Sequence, residues 1–130
     1  MRNLERMAFM WGNSTNWGPA NNLLIDTFSK MKEVYDDNAD EYVDLPYAFY
    51  ESEFVPFIVS QLQNGNRSEL DKIFSFVEKL FVEGDEMIVN LAGVAIVESL
   101  FFEKNYDNYK NVILDLCGEQ TCKSLNECVS

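Results

Sequence analysis

Met87-Ile88-Val89-Asn90-Leu91-Ala92-Gly93-Val94-Ala95-Ile96-Val97-Glu98-Ser99-Leu100-Phe101-Phe102 is the stretch that decides the fold. These sixteen residues are apolar nearly all round, with Asn90 and Glu98 among them. A helix that is apolar on every side has to be covered on every side, so it belongs in the middle of a fold. A membrane-spanning helix needs about twenty such residues. The sequence therefore predicts a buried central helix over about 86–102, capped by Asp85 after a stop at Gly84. Gly93 inside it offers a neighbouring helix a close approach.

Working outward, the flanking segments repeat apolar residues at helical spacing. Towards the N-terminus, Leu70, Ile73, Phe74, Val77, Leu80 and Phe81 form one stripe over about 69–82, with Ser68 as the expected N-cap. Before it lies a helix that starts near Pro46 and breaks at Ser52 and Pro56, with Phe54, Phe57, Ile58 and Leu62 facing inward and Asn64-Gly65 ending it. Earlier still, Pro19 opens a helix over about 20–37 whose face is Leu24, Phe28, Met31 and Tyr35. Towards the C-terminus, Tyr109, Val112, Ile113 and Leu116 mark a helix over about 106–116, and Cys122, Leu125 and Val129 mark a last one over about 119–128. No stretch alternates with the period of a strand. The expectation is an all-α fold of five to seven helices, paired as antiparallel hairpins in an α-solenoid-like or bundle arrangement around the helix at 86–102. Residues 1–19 carry the turn residues Asn13-Ser14-Thr15-Asn16 and Trp17-Gly18-Pro19, so they read as an irregular arm or short helix before one helical domain at 20–130.

Composition narrows the function. The 130 residues include 10 Lys plus Arg against 22 Asp plus Glu, a net charge of -12. General phosphate neutralisation needs clustered cations, so direct nucleic-acid binding is not expected, nor is binding to an anionic membrane. The chain has no His, which removes the commonest general base and transition-metal ligand. Cys117, Cys122 and Cys128 fit neither a secreted disulfide framework nor a CxxC zinc site, and read as three reduced thiols that pack. The run Met7-Ala8-Phe9-Met10-Trp11 after Arg2 and Arg6 is too short for a signal-peptide core, which takes about 7–15 residues. A soluble, cytoplasmic protein is expected.

Acid clustering is the main functional signal. Between Glu33 and Asn66 there is no Lys or Arg, while Asp36, Asp37, Asp40, Glu41, Asp44, Glu51 and Glu53 alternate with Tyr35, Tyr42, Tyr47, Phe49 and Tyr50. One reading is a solvated face. The other is a docking surface for a basic protein, steered by the acids and anchored by Tyr42, Tyr47 and Tyr50. A second acid-only window holds Glu83, Asp85, Glu86, Glu98 and Glu103. Calcium is not expected: Asp36-x-Asn38-x-Asp40 starts like an EF-hand loop, but Glu41 stands where Gly is needed and Tyr47 where Glu is needed. No nucleophile motif, phosphate loop or dinucleotide loop is present, so neither catalysis nor a cofactor is expected. Most Phe lie at core spacing, which favours packing over a ligand pocket.

The order of segments resembles a known family. Asp44-Leu45-Pro46-Tyr47-Ala48-Phe49-Tyr50 leads into Phe54-Val55-Pro56-Phe57. Leu70-Asp71-Lys72-Ile73-Phe74-Ser75-Phe76-Val77-Glu78-Lys79-Leu80 follows, then Asp85-Glu86-Met87-Ile88-Val89-Asn90-Leu91 with Val97-Glu98-Ser99-Leu100, and a Leu116-Cys117-Gly118 turn. Over about 20–128 this resembles the small, acidic, all-helical bacterial immunity proteins of contact-dependent growth inhibition and other polymorphic toxin systems. The resemblance implies binding and neutralisation of a cognate toxin C-terminal domain, often a basic nuclease, in the cytoplasm. It carries over no functional residues. The rival expectations are an acidic helical adaptor or nucleic-acid mimic that inhibits another basic protein, and a small enzyme working with carboxylates alone.

Overall fold

The computed structural model describes the chain from Gly18 to Val129, with side chains from Ala20 onward. Eight helices are found among the described residues. They are α1 (Gly18–Thr27), α2 (Ser29–Asp37), α3 (Ala39–Tyr42), α4 (46–64), α5 (Arg67–Glu83), α6 (86–101), α7 (Tyr106–Leu116) and α8 (Glu119–Val129). The fold is all-α, and no strand occurs among the described residues. Of the expected arm at residues 1–19, the part up to residue 17 lies outside the described residues, while Gly18 and Pro19 belong to α1.

The expected helix at 20–37 is two helices, divided at Phe28, whose backbone is extended (φ -124°, ψ 114°). Just before it, the Thr27 hydroxyl donates to the Leu23 carbonyl (2.7 Å), a local bond that competes with helix continuation. The Phe28 ring is buried against Phe54 (5.3 Å between ring centres), Phe76 (5.4 Å) and Phe57 (6.0 Å), and Lys72 Nζ lies 5.1 Å from its centre. This aromatic contact set holds the break in place.

The expected break at Ser52 and Pro56 is absent. Instead α4 runs on through a π-helical turn at Tyr50–Phe54, where the Val55 N–H reaches the Tyr50 carbonyl. Pro56 lacks an N–H and its ring clashes with the carbonyl four residues back; the wider turn just before it accommodates both effects. At the other end, Gly65 adopts the left-handed conformation (φ 66°, ψ 30°) that closes the helix.

Asn66, not Ser68, caps α5, accepting from the Glu69 N–H (3.2 Å). The stripe at Leu70, Ile73, Phe74, Val77 and Leu80 is buried as expected, and Phe76 joins it. Asp85 caps α6 as expected, accepting from the Ile88 N–H (3.0 Å). The central position of α6 is also as expected: Ile88, Leu91, Ala92, Ala95, Ile96, Val97 and Leu100 are buried, and the helix packs on α4, α5 and α8. A second π-helical turn, Ala92–Glu98, lies within it. Gly93 does not serve a close approach. A Cβ there would meet only Ser124 Oγ, at 3.9 Å.

The close approach falls at Gly118, between α7 and α8, where a Cβ would overlap the Glu78 side chain. The Glu78 carboxylate accepts from the N–H of Gln120 (3.0 Å), the N–H of Thr121 (2.9 Å) and the hydroxyl of Thr121 (2.9 Å). It thus caps α8 from another helix. Cys117 and Cys122 are joined as a disulfide across the same turn, and Cys128 is free. The expectation of three reduced thiols is corrected: the turn at Gly118 brings Cys117, at the end of α7, against Cys122, the fourth residue of α8, which spacing alone did not show. The inward face of α8 is Thr121 and Leu125, while Val129 is exposed.

Candidate functional site

The acid-rich segment folds as a chain of short helices rather than a loop. α2 ends at Asp37, and the Asn38 side chain donates to the Val34 carbonyl (2.9 Å) as the chain turns into α3. Pro46 then stands at the first position of α4. Three polar contacts fix this segment to the body. The Asn21 amide donates to the Tyr42 carbonyl (2.9 Å), the Tyr50 hydroxyl to the Ala20 carbonyl (2.7 Å), and the Tyr42 hydroxyl to Glu53 Oε2 (2.7 Å). Both phenols remain protonated donors. That of Tyr42 is pushed up to about 12, first by its hydrogen bond to Glu53, then by burial and by the charges of Glu53 and Glu41. Burial raises that of Tyr50 further.

The structure sorts the ten residues singled out from the sequence. Asp36, Asp37, Asp40, Glu41, Asp44 and Glu51 are exposed. Glu53 is half-buried and engaged by Tyr42. Tyr42 and Tyr50 are buried, so neither ring is offered to a partner: their phenols serve the fold, and the idea of them as surface anchors is corrected. Tyr47 is half-buried, with its hydroxyl donating to Asn90 Oδ1 on α6. The spacing carried a signal for Tyr50, which stands four residues before Phe54 on the inward face.

Among the described residues, Asp36 is the one of the seven acids in an ion pair, with Lys32 at 2.9 Å. That pair is exposed at both ends and contributes little to stability. The sequence reading missed Val43 (50% exposed) and Leu45 (54% exposed), which flank Asp44 at the turn between α3 and α4. Two apolar side chains inside a field of carboxylates have the composition of a protein-binding patch, with an apolar centre and a charged rim. Off-period apolar residues beside an acid were the available clue. Among the described residues, no group of three His, Cys, Asp or Glu is placed to hold a metal ion, and no helix is long and apolar enough to cross a membrane.

Searches against characterised proteins and against solved structures gave no match. Apart from Ala20, the residues that build this surface lie in a stretch shared with other sequences: residues 21–128 match the model of a domain of unknown function (DUF7674), and the chain belongs to that family.

Proposed function

We propose that this chain is an immunity-type inhibitor, which binds a basic toxin domain through the acidic surface at residues 36–53 and neutralises it in the cytoplasm. The observation that carries the reading is the surface itself. Six exposed acids share the segment 36–51 with the exposed Val43 and Leu45, on a frame held by the buried Tyr42 and Tyr50. The order of segments described above supplies the toxin class.

In this reading the acids raise the encounter rate and the apolar residues hold the complex. Electrostatic steering lifts association to about 10⁸–10⁹ M⁻¹s⁻¹ at low salt, against about 10⁵–10⁶ without it. Aimed at a nuclease, the same carboxylates occupy the cationic surface that takes phosphates. Steering acts over a Debye length of about 8 Å at physiological salt, so association slows as salt rises.

The test is co-expression with the C-terminal domain of the protein encoded just upstream. A domain that stops growth alone and is harmless beside this chain supports the reading. A domain that is harmless alone, or that stops growth regardless, overturns it and leaves an adaptor or mimic of nucleic acid acting on another basic protein as the reading to pursue.

A further inference from the structure

Between α6 and α8 runs an open trough of about 520 Å³. Its apolar walls are Phe81, Val89, Val94 and Phe102. Phe102 is 73% exposed, unusual for a ring of its size, and stands against Phe101 with ring centres 5.0 Å apart. Gly93 also lines it, and a Cβ there would have only Ser124 Oγ near it, so there is room for a side chain at this point of the trough.

The charge of the lining is one-sided. Glu98 from α6 and Glu127 from α8 border the trough, and among the described residues no Lys or Arg lines it. Both carboxylates face the half-buried thiol of Cys128, which burial, and then their charges, push up. Along α6 and its C-cap the lining runs Asn90, Val94, Glu98, Phe102, a row at helical spacing. At 1.5 Å per residue this row is about 18 Å long, or about three turns of a facing helix. Phosphates and anionic lipid are repelled by such a border.

We propose that this trough is a docking site for a basic amphipathic helix of a protein partner, whose apolar face packs on Phe81, Val89, Val94 and Phe102 and whose Lys or Arg side chains meet Glu98 and Glu127. Helix-in-groove recognition has this form: apolar anchors spaced three and four residues apart seat in a groove, and charges at its edge set the register. The inference goes beyond the toxin reading, since the trough is lined by none of the residues of the acidic segment, one of which, Tyr47, donates to the lining residue Asn90.

The probe is a synthetic fourteen-residue Leu/Lys amphipathic helix, titrated into the full chain without reductant at 150 mM salt. Cys128 is the free thiol beside the Cys117–Cys122 disulfide, so its alkylation by iodoacetamide reports occupancy directly. The expected results are binding, alkylation slowed by about tenfold at saturation, and affinity reduced by about tenfold in Gly93→Leu and in the Glu98→Lys, Glu127→Lys double variant. Reversing Asp37, Asp40, Glu41 and Glu51 is expected to leave alkylation protection at saturation intact. Phe102→Glu, at an exposed position, repeats the test if Gly93→Leu does not fold.

Absence of binding overturns the proposal, as does binding that leaves Cys128 unprotected or is indifferent to these trough variants. Equal affinity for a Leu/Ser peptide overturns the ionic part. A dimer of the chain that Gly93→Leu dissociates assigns the trough to a second copy instead. None of these outcomes bears on the growth rescue that tests the toxin reading.

Discussion

Replacing Glu78 by Ala removes three hydrogen bonds at once from the first turn of α8. The N–H groups of Gln120 and Thr121 lose an ionised acceptor, and the positive end of the helix loses a facing charge. Loss of a helix N-cap costs about 0.5–2 kcal/mol, and loss of a favourable charge at that end about 0.3–1 kcal/mol. The carboxylate is only partly buried, so water replaces some of what is lost. The working figure is about 2 kcal/mol, or about 8 °C in Tm for a domain of this size. Glu78→Gln keeps one acceptor oxygen without the charge and is expected to lose about half as much. The pH dependence follows from the balance at the carboxylate. Burial pushes its pKa up, but the hydrogen bonds from Gln120 and Thr121 outweigh burial and hold it below the ordinary 4.5. A group lowered in the folded state stabilises fully above its unfolded pKa, and that stability is lost as pH falls through the folded value. The gap between the native chain and Glu78→Gln should therefore be full at pH 7 and should close as pH falls below about 4.5. Thermal unfolding followed by circular dichroism at both pH values measures it, and amide exchange at Gln120 and Thr121 localises it. A Glu78→Ala chain that melts with the native one, or a Gln gap unchanged at pH 3, refutes the capping argument.

Changing Asp37, Asp40, Glu41 and Glu51 to Lys takes the net charge from -12 to -4, since each substitution adds two units. These side chains are exposed, so the melting temperature should hold or rise, while association with the cognate toxin should slow by at least about tenfold and lose most of its salt dependence in stopped-flow mixing. Tyr50→Phe leaves the Ala20 carbonyl without its buried donor and should cost about 1 kcal/mol in urea unfolding, with toxin affinity unchanged because the ring is not at the surface. Chain purified without reductant should react with a thiol reagent at one Cys when unfolded, and at three after reduction. Breaking the disulfide should cost about 2 kcal/mol, the chain-entropy value for so short a loop.

The helical layout was legible because its cause is periodic. The stripe from Leu70 to Leu80 is buried as its pattern requires, and most of 87–102 is buried too, but its all-round apolarity overstated the cover: Phe102 is exposed and Val89 and Val94 are only half-buried. Features set by a few atoms were less legible. Asn66 and Ser68 are both competent caps, and only the backbone geometry around Glu69 chooses between them. Near Phe28 only Thr27 competes with helix continuation, and a single threonine is too weak a signal to mark a break. The break depends on rings from α4 and α5, far along the chain. The acidic surface was legible as composition, and its exposed members are those that the charge pattern named. Tyr42 and Tyr50 were ambiguous because a tyrosine is apolar along its body and polar at its tip, and what decides its place is whether a carbonyl or carboxylate waits inside. The disulfide was hidden for a similar reason: a spacing of five becomes a contact only because the turn at Gly118 folds the chain back.

The two π-helical turns, Tyr50–Phe54 and Ala92–Glu98, have a consequence for phase. A π turn carries one residue more than an α turn, and one residue is worth about 100° of rotation around a helix. Downstream of Ala92–Glu98, an uninterrupted α-helix would present a different face: Leu100 would swing away from the core and Phe102 would leave the trough. The extra residue acts as a phase shifter, which lets one helix serve the core with one set of side chains and a surface with another. A single-residue deletion within 92–98 should therefore convert the π turn to an α turn and leave the positions after it on their present faces, whereas a deletion outside the two π turns should rotate them.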